Sequence, residues 1–316
     1  MMKVAFLDIV HPVLRERLEE KGILCEEFLD ISKTEILSGT LEQYNGLVLR
    51  SRITLDSELL DAMPNLKWIA RSGSGLDNID TVYAEKKNVL IFSSPEGNRD
   101  AVGEHALGML LNLLHKLRSS DTTVRNKQWL REEHRGLELK TLTVGIYGYG
   151  VMGSSFAEKL SGLKCEVIAY DKYKSGFSGE HVTEVSEDGF FEKADIASIH
   201  VPWTDETKQL VDSGWLSRFS KPIILMNTSR GAVVVTGDLL DALDSGRVTA
   251  AALDVLEFEG KSLEELELNN TSEMVMSRLF NHDNVLLSPH VAGWTVESYF
   301  KLSSVLADKI LGSKVS

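Results

Sequence analysis

Only two cysteines, Cys25 and Cys165, occur in 316 residues. That pair cannot build a disulfide framework or a cysteine-rich metal site, and no metal is expected. Basic residues are also few: 34 Lys and Arg stand against 47 Asp and Glu, for a formal net charge of −13. That balance argues against a general nucleic-acid or acidic-membrane partner, so any anionic ligand must be held by local donors. Long apolar runs are missing too. The longest mostly apolar stretch, ALGMLLNLLHKL at 106–117, is too short to span a bilayer. The opening MMKVAFLDIV runs directly into a strand-like segment, without the basic, apolar and cleavable regions of a secretory leader. A cytoplasmic protein is expected.

What is present is ordinary for a soluble globular chain: 43% apolar and 26% charged residues, with length enough for two domains that each have a core. Short apolar runs (KVAFLDIV, GLVLRS, LKWIARSG, NVLIFSS) alternate over the first hundred residues with amphipathic stretches such as HPVLRERLEEKG and LDSELLDAMP. Such alternation predicts a parallel sheet covered by helices on both faces. A longer helical stretch, DAVGEHALGMLLNLLHKLRSS, leads into a polar arm, TTVRNKQWLREEHRGLELK, that carries Trp129. From Leu142 the alternation restarts with LTVGIYG, CEVIAYD, ADIASIHVP, PIILMNTS, VTAAALDV and NVLLSPH. The polar segment 259–282 reads as a long loop with a helical turn, and ESYFKLSSVLADKILGS has helical spacing. The fold expected is α/β, with two doubly wound parallel-sheet units.

The stretch TLTVGIYGYGVMGSSF, 141–156, ends an apolar β-branched run in Gly148, Gly150 and Gly153. The spacing G-x-G-x-x-G suits a chain that leaves a strand, turns past a pyrophosphate and enters a helix. Gly148 would permit the turn, Gly150 the approach of phosphates, and Gly153 close packing of helix on strand. The anion would rest on free N–H groups at the helix start. A glycine-rich turn without ligand is the alternative, and it loses ground because a second strand follows and ends in Asp171. That aspartate lies eighteen residues past Gly153 (171 − 153), near the spacing at which an acid meets the ribose hydroxyls. A carboxylate there favours NAD over NADP, although Lys172 and Lys174 beside it would soften rejection of a 2′-phosphate.

Hydride chemistry on a carbonyl needs a proton donor and a cation to polarise the oxygen. His290 follows an apolar run in NVLLSPHVAGWT, Arg230 follows PIILMN, and Asp254, Glu257 and Glu259 follow VTAAAL. Singly, each is better read as a loop or surface residue. Together they are an arginine, acids and a histidine at strand ends of a dinucleotide-type sheet, where ligands bind.

Eight stretches carry a resemblance over nearly the whole chain: LRSRIT, RSGSGLDNID, SSPEGNRDAVGEHALGMLL, the glycine fingerprint, HVPWTDETKQLV, NTSRGAVV, AALDVLEFE and LLSPHVAGWT. In this order they resemble the D-isomer-specific 2-hydroxyacid dehydrogenases, and in type the D-3-phosphoglycerate dehydrogenases. The resemblance implies a Rossmann NAD-binding domain, 99–286, inserted into a flavodoxin-like substrate domain made of 1–98 and 287–316, with substrate in the cleft between them. It implies a catalytic set of Arg230, Glu259 and His290, and NAD as cofactor. His290 would move the proton, Glu259 would fix its ring, and Arg230 would polarise the carbonyl and pair with the substrate carboxylate. Around the cofactor it places Tyr149, Val151 and Met152 of the glycine loop, His200, Val201, Pro202 and Thr207. It adds Thr228, Ser229 and Asp254, the last against the nicotinamide carboxamide. For the substrate it implies the Ser72, Gly73, Ser74, Gly75 turn, Asn98, and the arginines Arg50 and Arg52. Residues two apart on a strand face the same way, so Arg50 and Arg52 would project together at a dianionic group.

The resemblance also implies a homodimer formed through the region around 100–130. With no further domain after the last motif, the short form without serine feedback is expected. Two features depart from the family: Gly260 follows Glu259 where proline is common, and the run from Glu259 to His290 is long. The function expected is NAD-dependent interconversion of a D-2-hydroxyacid and its 2-keto acid, with 3-phosphoglycerate and phosphohydroxypyruvate as first choice. A glyoxylate or hydroxypyruvate reductase and a non-catalytic NAD(H)-sensing protein on the same scaffold are the alternatives. A Rossmann-type methyltransferase has no need of the NTSRG and SPH strand ends.

Overall fold

The computed structural model describes residues 2–260 and 266–313. These form two compact units, one drawn from residues 2–99, Gly260 and 294–313, the other from Asp100–Glu259 and Leu266–Gly293.

In the first unit the strands are β1 (Lys3–Phe6), β2 (Leu24–Glu27), β3 (Gly46–Leu49), β4 (Trp68–Arg71) and β5 (Leu90–Ser93). They pair in parallel in the order β2-β1-β3-β4-β5, the flavodoxin-like arrangement. The central strands are buried along their length, as a sheet covered on both faces requires. Four short helices connect them: α1 (Val13–Glu19), α2 (Lys33–Leu37), α3 (Ser57–Asp61) and α4 (Thr81–Lys86). One face buries Leu7, Leu47, Leu49 and Ile69 under α2 to α4. The other buries Val4, Phe6, Val48 and Trp68 under α1 and the last helix of the chain.

The second unit begins inside α5 (Pro95–Leu114), which is followed by α6 (Leu117–Arg125). The two are separated by Lys116 in the left-handed region, φ 52°. Its strands are β6 (Thr143–Tyr147), β7 (Glu166–Tyr170), β8 (Thr183–Glu184), β9 (Ile196–Ile199), β10 (Ile223–Asn227), β11 (Val248–Leu253) and β12 (Val285–Leu287). All pair in parallel, in the order β12-β11-β10-β9-β6-β7-β8. Counted from β6 this is the doubly wound Rossmann order, with its reversal between β6 and β9. Its helices are α7 (Val151–Leu160), α8 (Glu187–Lys193), α9 (Ser213–Ser217), α10 (Thr236–Asp244) and α11 (Asn270–Phe280); α12 (Val296–Gly312) returns to the first unit. On one face of the sheet Phe190, Trp215 and Phe219 build an aromatic cluster. On the other, Phe156 of α7 and Leu110 and Leu114 of α5 are buried.

Four elements differ from the sequence reading. β2 was not expected: it is an edge strand in which only Cys25 is buried, so it carries almost no apolar signal. β8 is a two-residue edge strand. The expected loop at 259–282 contains an eleven-residue helix, α11, whose start is closed by a capping box of Asn269 and Ser272 and which buries Met276 and Leu279. Residues 261–265 of that loop lie outside the described residues. The polar arm at 122–140 begins as part of α6, a helix with no buried residue. No described helix is long and apolar enough to cross a membrane.

Candidate active site

The glycine loop joins β6 to α7. Gly148 has φ +98°, and a Cβ there would lie 2.8 Å from the carbonyl oxygen of His200. A Cβ on Gly153 would meet the Gly148 carbonyl oxygen at 2.2 Å, so the first turn of α7 sits directly on the loop. Gly150 is different: nothing lies within 4 Å of its added Cβ, and no side chain caps the helix. That leaves the N–H groups of the first turn of α7 facing open space, which is what a pyrophosphate needs. At the ends of the neighbouring strands β9 and β10, His200 Nδ1 and Thr228 Oγ1 are buried without a hydrogen-bond partner among the described residues. His200 Nε2 pairs with Ser198 Oγ at 2.8 Å, and burial pushes the imidazole pKa down to about 4, so the ring is neutral. These features fit a dinucleotide on this edge of the sheet.

Asp171, after β7, is committed to the backbone. Its Oδ2 accepts from Tyr149 N at 2.8 Å, and its Oδ1 accepts from Tyr173 N at 2.9 Å and Lys174 N at 3.0 Å. It therefore ties the glycine loop to the turn after β7 and keeps one acceptor position for a ribose hydroxyl. Tyr149 stacks on Phe177, with centroids 4.5 Å apart. Val151 and Met152 open α7. Thr207, rather than facing a ligand alone, donates to Pro202 O at 2.5 Å and accepts from Thr204 N, closing the loop after Val201.

On the other side of the reversal, β10, β11 and β12 deliver the chemical groups. Asn227 shapes the first turn: its Oδ1 accepts from Ser229 N at 3.0 Å and its Nδ2 donates to Arg230 O at 2.9 Å. Half-buried Arg230 stands at the tip of this turn. Gly231 follows, and a Cβ there would lie 1.8 Å from Leu256 O, so the Arg230 turn lies backbone to backbone against the Leu256–Glu259 turn. Leu256 N in turn donates to Glu259 Oε1 at 2.5 Å. The other oxygen of that carboxylate, Oε2, is 2.7 Å from His290 Nδ1. With Nδ1–H donated to Glu259, Nε2 is the nitrogen left to carry a transferable proton.

His290 itself has φ +53°, an uncommon conformation for a non-glycine residue. Asp254 imposes it. His290 N donates to the Asp254 carbonyl at 2.7 Å, and the Asp254 carboxylate, 1% exposed, accepts from Ser288 Oγ at 2.6 Å, Val291 N at 3.0 Å and Ala292 N at 2.9 Å. Burial alone would raise this carboxyl's pKa, but the hydrogen bonds from His105, Ser288 and the two amides outweigh it and hold the pKa below the ordinary value. His105 of α5 lies 3.0 Å from Ser288 Oγ and 3.4 Å from Asp254 Oδ1. Sequence reading passed over His105, Ser288 and Asn227; the GEHALG and SPH stretches held the first two, but nothing in their spacing pairs them.

A family model described as the D-isomer specific 2-hydroxyacid dehydrogenase, NAD binding domain, matches residues 107–292. The chain belongs to the D-isomer-specific 2-hydroxyacid dehydrogenase family. It is 30% identical over 312 residues to a D-3-phosphoglycerate dehydrogenase of Archaeoglobus fulgidus, which covers 98% of this chain and 57% of that protein. A hydroxypyruvate reductase of Thermotoga maritima is 29% identical, over 89% of this chain and 88% of its own. The crystal structure of a D-lactate dehydrogenase from Aquifex aeolicus complexed with NAD and lactic acid superposes with a TM-score of 0.84 at 26% identity, covering 98% of this chain and 94% of that one. The chain spans about half the length of the phosphoglycerate dehydrogenases it matches.

In the first unit, the donors that family resemblance assigns to substrate divide into two kinds. Ser72 and Gly73 continue from β4, and Ser74 Oγ donates to Asn98 Oδ1 at 2.6 Å, so the 72–75 turn and Asn98 do meet. The arginines do not act as a pair. β3 ends at Leu49, so the two-residue alternation expected for 50 and 52 no longer applies. Arg52 turns back onto the sheet edge: it donates to Leu7 O at 2.7 Å and Ile31 O at 2.9 Å, and pairs with Asp8 at 3.2 Å. Arg50 is half-buried under the Trp294 indole, 4.2 Å from guanidinium carbon to ring centroid. Burial lowers its pKa against the pull of Asp8 and Tyr299.

Proposed function

We propose that this protein is an NAD-dependent dehydrogenase that interconverts a D-2-hydroxyacid and its 2-keto acid. The observation that carries the reading is the 2.7 Å contact between His290 Nδ1 and a Glu259 carboxylate whose other oxygen is held by Leu256 N. A histidine oriented in this way is a general acid–base group. A protein that only senses NAD(H) has no use for it. NAD supplies the hydride acceptor or donor. His290 holds the proton at Nε2 and gives it to the carbonyl oxygen, or takes it from the hydroxyl in the other direction. Glu259 keeps the ring in one tautomer and one orientation. Arg230, a fixed cation with planar donors, polarises the oxygen and pairs with the carboxylate.

Among substrates we place phosphohydroxypyruvate and 3-phosphoglycerate first, supported by the Archaeoglobus relative's name and by Arg50, a half-buried cation against the Trp294 indole. Arg52 drops out of that argument because its donors serve the backbone. Its engagement favours a second reading, a reductase of hydroxypyruvate or glyoxylate, in line with the Thermotoga relative's name. The test is kcat/KM with NADH for phosphohydroxypyruvate, hydroxypyruvate and glyoxylate. A lead of about tenfold or more for the phosphorylated acid, lost in Arg50→Ala, supports the first reading. Equal turnover of all three supports the second.

We also read the protein as a cytoplasmic homodimer. The support is α6 and the arm after it, where Leu117, Val124, Trp129 and Leu137 are all more than half exposed. Exposed apolar side chains recurring along one segment of the chain suit an association surface.

A further inference from the structure

Asp171 alone does not account for cofactor choice. Three of its acceptor positions are taken by Tyr149, Tyr173 and Lys174 amides, and donated N–H dipoles offset much of its charge. Two ammonium groups stand beside it, on Lys172 and Lys174. By composition this corner would welcome a 2′-phosphate as readily as it would reject one.

The loop after β9 changes that balance. It brings Glu206 across to the turn after β7, where its carboxylate forms an ion pair with Lys172 and accepts from the Tyr173 hydroxyl. Lys172 also lies 5.6 Å from the Tyr173 ring, so the lysine, the tyrosine and the glutamate form one cluster. Lys174 is turned the other way, its Nζ donating to Tyr149 O at 3.3 Å. With Glu206 in place, Lys172 has a carboxylate partner and neither lysine is directed at a ligand. Without it, Lys172 loses that partner and becomes a mobile ammonium beside Asp171.

We infer that Glu206 is a positioning residue for cofactor specificity: by holding Lys172 it denies a 2′-phosphate its counter-cation, and so enforces NAD over NADP. The inference rests on the dinucleotide reading of the glycine loop but not on the catalytic trio. Pairs as exposed as this one contribute little to stability, so removing it should not affect folding. Its electrostatic effect on a dianion is larger, because a phosphate can recruit the released lysine through charge-assisted hydrogen bonds.

The experiment is direct titration of the purified protein with NADH and NADPH, followed by cofactor fluorescence without substrate. Glu206→Gln should tighten NADPH binding by roughly tenfold, the lower end of a charge-assisted contact, and leave NADH within about twofold. The gain should vanish in Glu206→Gln/Lys172→Ala and shrink as salt is raised, since an exposed interaction is screened. A gain that persists without Lys172, or equal changes for both cofactors, would overturn the role of Glu206. So would a wild type that binds NADPH as well as NADH. A wild type that binds neither cofactor would instead overturn the nucleotide site, and with it everything built on that site; loss of turnover with cofactor binding intact would bear on the trio alone.

Discussion

Arg50 and Arg52 have the same side chain and different tasks. Arg52 satisfies the carbonyls of Leu7 and Ile31, so Arg52→Ala leaves buried acceptors unpaired and should cost about 1–3 kcal/mol of stability. Its effect on KM should be small. Arg50→Ala should do the reverse, raising KM for a phosphorylated or carboxylated substrate with little change in the midpoint of thermal unfolding. Unfolding curves and Michaelis parameters on both variants check the split; matching stability losses would show that Arg50 is structural as well. The same logic applies at Asp254. Its carboxylate is filled by Ser288, Val291 and Ala292, so its first effect is on the backbone that carries His290.

At the scale of elements, the site is assembled by close approaches between turns. Gly231→Ala would drive a methyl group into Leu256 O and C, and neither backbone atom can retreat without moving Glu259. Overpacking of this kind costs about 1–3 kcal/mol. The variant should unfold at lower temperature and lose turnover while still binding NADH, as calorimetry and cofactor titration would show; unchanged turnover would mean that the Arg230 and Glu259 turns are not coupled. The strand ends that carry this chemistry were legible in the sequence because buried parallel strands read as uninterrupted apolar runs, as in PIILMN and VTAAAL. The glycine loop was legible because its residue types are dictated by backbone geometry. What could not be read depends on contacts remote in sequence. The edge strand β2 has one buried residue, α11 hides its apolar stripe in a polar segment, and the carbonyls that Arg52 donates to and the Tyr149 amide that Asp171 accepts from lie in other loops.

For the whole molecule, the buried histidine of the second unit predicts how stability responds to acid. His200 is neutral in the folded state, with a pKa near 4 against 6.5 for a free imidazole. As pH falls below about 6.5 the unfolded chain takes up a proton that the folded chain refuses, so stability declines until the folded state also titrates. The loss approaches about 3 kcal/mol by pH 4, and above pH 6.5 this group contributes no pH dependence. Asp254, with its lowered pKa, adds a loss of the same sign at lower pH. Urea unfolding at pH 7 and pH 5 should show the decline, and His200→Gln should flatten it; a stability that is level across that interval would contradict the burial of a neutral imidazole.

The role proposed for His290, held by Glu259, is transfer of the proton in a hydride transfer to a 2-keto acid. It is tested most directly by following NADH absorbance with a panel of 2-keto acids, in the wild type and in His290→Gln, with the chirality of the product determined and NADH binding measured in parallel. NADH consumption by the wild type is expected, with a D-2-hydroxyacid as product. His290→Gln should leave NADH binding unchanged and lower turnover by about 10²–10⁴-fold, the usual contribution of a general acid–base group. Near wild-type turnover in the variant, an L-product, or NADH binding without consumption of any acid by the wild type would contradict it.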